Sequence, residues 1–221
     1  MRLFERAVSC ALLVASSGCL SANAYRSARA LPPGRSELVA SANGYVFPSP
    51  TEQDGGGSIG VHYRTGIARK VELGISVNTG FKATFDGLVQ VVDAGPFALA
   101  LNPEVFVGAL RLADAESGVT LGAGLITRTD LWLGPGFALV AHGGPVLATV
   151  ADSTGGLAQF GGGFRVFGPK SNVGLQAEVT TLWDASVSKP LDTTFGLGLI
   201  IQYGRREQTE TRLRRPPGPS S

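Results

Sequence analysis

Between Ser36 and Tyr203, apolar residues alternate with small or polar ones in short runs separated by turn residues. Successive side chains of a strand point to opposite faces, so parity divides each run into two faces. In residues 57–67, Ile59, Val61, Tyr63, Thr65 and Ile67 share one face, and Ser58, Gly60, His62, Arg64 and Gly66 share the other. In residues 70–79, Val71, Leu73, Ile75 and Val77 oppose Glu72, Gly74, Ser76 and Asn78. The runs 97–108, 172–182 and 193–203 alternate as regularly. The runs 36–47, 83–93, 118–127, 130–141 and 157–167 do so less strictly. Ten strands are predicted, each close to the ~9–11 residues that a tilted strand needs to cross a bilayer.

Alternation alone does not say which face is inside. A soluble barrel or sandwich has the same period with its apolar face inward. Its solvent face would carry many Lys, Glu, Asp and Arg. Here the second face is mostly Gly, Ala, Ser, Thr, Asn and Gln. Its charges are sparse: His62, Arg64, Glu72, Asp86, Glu104, Arg165 and Glu178. Small, weakly polar residues suit a narrow interior. The apolar face is broad and ends in aromatics such as Phe97, Phe195 and Tyr203, which suits lipid with an interfacial belt. The fold class is therefore all-β, a single antiparallel transmembrane β-barrel of about ten strands over 36–203. Eight or twelve strands also fit, because the first run and residues 142–156 are ambiguous.

The connections give an independent argument. On one side they are 48–56, 80–82, 109–117, 142–156 and 183–192, and four of these five are long. On the other they are the tight turns 68–69, 94–96, 128–129 and 168–171. Short turns on one side and longer loops on the other are the asymmetry of bacterial membrane barrels. An even strand count also returns the chain to its starting side and leaves no open edge in lipid.

Composition agrees. Only 16% of the 221 residues are Asp, Glu, Lys or Arg, against about 25% in soluble proteins. Mean hydropathy is +0.17, yet no stretch approaches the ~18 apolar residues of a membrane helix. Apolar surface spread over many strands reconciles the two. A net charge of +2 gives no nucleic-acid footprint.

The N-terminus reads as a signal peptide. Arg2 and Arg6 form a basic start, Ala7 to Ala15 an apolar stretch, and small residues follow. Two cleavage signals overlap. Ser17-Gly18-Cys19 places a lipidation site at Cys19 and ends the signal at residue 18. Ala22-Asn23-Ala24 ends it at residue 24. Cys19 is the preferred reading, giving a second, lipid anchor. Residues 19–35 then form a flexible leader, and residues 204–221, charged and Pro-rich, a disordered basic tail. Cys10 and Cys19 are the only cysteines, so no disulfide or C-x-x-C chemistry is expected in the mature chain.

The last strand, "TTFGLGLIIQYG", with Gly198, Leu199, Ile201 and Tyr203, resembles the C-terminal assembly signal of small outer-membrane β-barrel proteins of bacteria with two membranes. The resemblance covers about 36–203 and rests on this strand and the pattern. It implies residence in the cell outer membrane, contact with outer-membrane lipid, and the barrel-assembly machinery as a partner during biogenesis. The "SGC" stretch and its leader resemble bacterial lipoproteins.

The interior charges have two readings, a polar pore or site and a set of acids and bases paired across a filled interior. Buried charges need partners and narrow barrels fill with side chains, which favours pairing. His62 could act as a base near Asp86 or Glu104, but no paired motif marks a catalytic site. His62 and His142, the only histidines, lack metal-ligand spacing. The glycine run in 156–168 lacks the Lys-Ser/Thr ending of a phosphate loop. No catalytic residue, metal or cofactor is expected. "DAESG" (114–118) and "ADSTGG" (151–156) read as solvated external loops. The first functional reading is an envelope barrel with a structural or narrow-channel role and a largely filled polar lumen. The alternatives are a barrel enzyme acting on lipid or peptide at the outer surface, and a soluble lipid-anchored β-protein that binds an apolar ligand. Oligomeric state is not encoded legibly.

Overall fold

The computed structural model describes residues 25–46, 55–79, 82–112, 115–150, 153–168, 171–184 and 189–204. Ten strands follow in chain order: β1 (Arg35–Val46), β2 (Gly55–Ala68), β3 (Val71–Asn78), β4 (Lys82–Ala94), β5 (Phe97–Leu112), β6 (Ala115–Gly134), β7 (Phe137–Val150), β8 (Ser153–Phe167), β9 (Val173–Asp184) and β10 (Lys189–Gly204). Each pairs antiparallel with its neighbours. β1 pairs with β10 from Arg35↔Gly204 to Val46↔Thr193, which closes the barrel. Closure satisfies both edges of every strand, as lipid requires. Cys19 and the tail lie outside the described residues.

The faces follow the predicted parity. Ile59, Ile75, Phe85, Val105, Leu121, Phe160, Val179 and Leu197 point outward and are exposed. The outward positions of β9 are Val173, Leu175, Ala177, Val179, Thr181 and Trp183, with no charge among them. Buried polar groups such as Glu37, Arg64, Glu72, Arg128, Gln176 and Glu178 point inward. An apolar outside around a polar inside inverts the order of a soluble barrel and identifies a transmembrane one.

Tight turns lie on the side where the barrel starts and ends, here the turn side; the opposite end is the loop side. Lys70 (φ 71°) closes the β2–β3 turn and Gly95 (φ 61°) the β4–β5 turn.

Three boundaries differ from the sequence reading. The turn expected at 128–129 lies at 135–136 instead, because Pro135-Gly136 breaks pairing where Arg128 and Thr129 do not. The external loop expected at 142–156 is mostly strand: β7 runs to Val150 and β8 starts at Ser153. The glycines and Pro145 stay in register there, with Gly143↔Phe160 and Pro145↔Ala158. Similarly, β5 reaches Leu112 and β6 starts at Ala115, so most of 109–117 is strand.

The expected leader also differs. Residues 25–34 run up the inside of the barrel from the turn side. Tyr25 and Ala28 are fully buried, and Arg26, Ser27 and Leu31 nearly so. Without hydrophobic periodicity the segment reads as a linker, but its small residues are what a narrow lumen admits.

Candidate functional site in the barrel lumen

The inner segment enters beside β2. Gly34 N–H donates to the Gly66 carbonyl at 3.1 Å, and Arg35 N–H to the Pro32 carbonyl at 3.0 Å. Gly66 is required at this crossing. A Cβ there would lie 2.3 Å from the carbonyl oxygens of Leu31 and Pro32. Further in, Leu31 N–H donates to Glu72 at 3.2 Å and Ala30 N–H to the Gln90 side chain at 3.1 Å. Ala28 packs on Leu88, Ala98 and Ala100. Wall side chains thus satisfy backbone groups that no strand partner reaches.

Charge fixes the upper part. The Arg26 guanidinium contacts Glu72 at 3.4 Å and forms an ion pair with Asp86. The Ser27 hydroxyl donates to Asp130. Tyr25 N–H donates to Glu178 at 3.2 Å, its hydroxyl donates to Asn43, and its carbonyl accepts from Arg64. Its ring meets His62 edge-on at 5.3 Å and lies over Gly198, whose added Cβ would come within 2.8 Å.

A wall network surrounds this segment. Glu37 pairs with Arg64 at 3.2 Å and with Arg165, and accepts from Gln202 at 2.9 Å. Arg165 donates to Gln176 at 3.3 Å, and Gln176 donates to Glu178 at 2.6 Å. Arg128 donates to Asn102 at 2.7 Å. Glu37 thus holds Arg64 and Arg165, and Arg64 and Glu178 also reach the inner segment through Tyr25. A cavity of about 160 Å³ remains near the turn-side mouth, lined by Arg29, Arg35, Trp132 and Phe167 among others.

Of the predicted interior charges, Arg64, Glu72, Asp86, Arg165 and Glu178 join this network. His62 faces inward with its Nε2 3.0 Å from Ser41 Oγ. Its bonded partner is thus a hydroxyl, and Asp86 is taken by Arg26. Glu104 sits half-buried opposite Asp86 in the β4–β5 register. Phe97, Phe195 and Tyr203 are exposed on the outside. The sequence reading missed Arg26 and Ser27, assigned to the leader, and Glu37, on the weakest strand. It also missed Arg128 and Asp130, because the misplaced turn took them off β6. The "GPG" at 134–136 was the signal that would have restored them. Among the described residues no three metal-ligating side chains come together.

The loop-side half of the lumen is different. Phe106, Ile126, Val146, Ala148, Leu157 and Leu182 form a buried apolar cluster. The Phe106 ring covers Gly122, where any Cβ would collide with it. Lys82 Nζ lies 4.6 Å from the centre of the same ring.

No family model matches this sequence, and no curated protein matches it. Solved structures do. The chain is similar to the N-terminal β-barrel domain of Pseudomonas aeruginosa OprF, at 15% identity and a TM-score of 0.40, over 78% of this chain and 100% of that one. It is similar to an outer membrane channel from Pseudomonas putida, at 9% identity and a TM-score of 0.46, over 80% and 98%. It is also similar to the Yersinia pestis outer membrane protein Ail, at 12% identity and a TM-score of 0.41, over 77% and 99%.

Proposed function

We propose that this chain is a structural barrel of the bacterial outer membrane whose lumen is closed by its own residues 25–34, so that its resting state does not conduct. The observation that carries this reading is Arg26, buried in the lumen between Glu72 and Asp86. An arginine taken from water into that position holds the segment in place through both carboxylates. The apolar cluster around Phe106 closes the other half of the lumen by packing. Outer-membrane placement is supported by the signal-peptide-like N-terminal sequence, the apolar exterior and the terminal strand. In this reading Phe97, Phe195 and Tyr203 sit at the membrane interfaces, lipid is the constant partner, and the barrel-assembly machinery inserts the chain.

Planar-bilayer recording tests the closure. The intact protein is expected to be electrically silent. An Arg26→Ala variant that still shows the heat-dependent gel shift of a folded barrel is expected to give flickering openings. Large, steady conductance from the intact protein would contradict the reading.

A further inference from the structure

We infer that the mature chain begins at Tyr25, and that its α-ammonium group is a structural part of the lumen, held by the Glu178 carboxylate. This rests on residues 25–34 being seated as described. Three observations converge on Tyr25. First, the sequence before it, Ala22-Asn23-Ala24, has the small residues that a signal peptidase requires at its cleavage site. Second, Tyr25 N donates to Glu178 Oε2 at 3.2 Å, with both residues buried. Third, Tyr25 is a bulky residue at φ 45°, in the left-handed region that such side chains avoid.

Hydrolysis of the Ala24–Tyr25 peptide bond changes the last two together. Water adds across the bond, Ala24 leaves with a carboxylate, and Tyr25 keeps an amine that protonates. The contact to Glu178 changes from a neutral amide donor to an ammonium with three donors and a full positive charge, a stronger hydrogen bond. The Tyr25 φ torsion ceases to exist, because the preceding carbonyl carbon that defines it is gone. The left-handed conformation then carries no steric cost.

The same geometry argues against lipidation at Cys19 with the segment seated. Glu178 lies five residues into β9 from Val173, about 17 Å along the strand and roughly 12 Å above the turn side at a 45° tilt. Cys19 is six residues before Tyr25 and reaches at most ~21 Å from it. That ~21 Å span would have to cover both the ~12 Å descent past the seated segment and the passage round the rim before acyl chains could reach the leaflet. On this inference the cleavage falls after Ala24 and not before Cys19.

The test is the N-terminus of the full protein purified from membranes. Intact mass and N-terminal sequencing are expected to give an unmodified chain starting Tyr-Arg-Ser-Ala-Arg. A blocked, acylated Cys19 would overturn the inference. The burial of the ammonium is read separately. A small amine-reactive reagent, followed by mass on the N-terminal peptide, is expected to label Tyr25 about 100-fold more slowly in the folded barrel than after heating. Equal rates with the correct N-terminus would overturn the buried-ammonium role but leave the cleavage site standing. A Glu178→Gln variant that remains a folded barrel is expected to lose most of that protection; unchanged protection would remove Glu178 as the holder. The inference fails independently of closure, because a silent barrel with acylated Cys19 refutes it alone.

Discussion

The two halves of the lumen are packed by different physics. On the turn side, Glu37, Arg64, Glu72, Arg165 and Glu178 bury charge and grip an inner segment. On the loop side, Phe106, Ile126, Val146, Ala148, Leu157 and Leu182 fill the space with hydrocarbon. A packed apolar cluster tolerates loss of one member by partial collapse. A charge network does not, because removing one ion leaves its partner buried and uncompensated. The difference teaches where such a barrel is stable and where it can open. The hydrocarbon half is passive. The charged half depends on ten residues that belong to no strand of the wall.

The largest expected effect comes from Glu37→Ala. It strands both Arg64 and Arg165, and Arg64 also holds the Tyr25 carbonyl. Loss of one partner from a buried pair costs about 3–5 kcal/mol, so the free energy of unfolding, read from thermal unfolding in detergent followed by gel mobility, is expected to fall by about that amount. Conductance should rise in the same variant. Phe106→Ala should cost somewhat less, about 3 kcal/mol, while bilayer recordings stay silent because the turn-side half still closes the lumen. If Phe106→Ala conducts and Glu37→Ala does not, the assignment of the two halves is reversed.

Legibility in the sequence follows the same division. Lipid demands apolar side chains at every second position, so the outer face of β2, β3, β5, β9 and β10 could be read from parity alone. The inward charges on those strands, Arg64, Glu72 and Glu178, came with it. Glu37 was harder, because small residues on both faces of β1 blur the alternation. Arg128 and Asp130 depended on one turn, and "GPG" at 134–136 carried that information. Residues 25–34 had no pattern to read. Their fit is set by complementarity to wall glycines such as Gly66 and Gly198, whose neighbours in space are remote in sequence. The pairing of Arg26 with Glu72 and Asp86 is likewise a product of closure, since β3 and β4 meet the segment only once the barrel is formed.

The central claim is that residues 25–34 belong to the lumen, and a double-mutant cycle between Arg26 and Glu72 tests it most directly. Arg26→Ala, Glu72→Gln and the pair are compared by thermal unfolding of the folded barrel in detergent. A seated segment predicts non-additive losses with a coupling of about 1 kcal/mol or more. Strictly additive losses would contradict it, because two side chains that never meet have no energy to share.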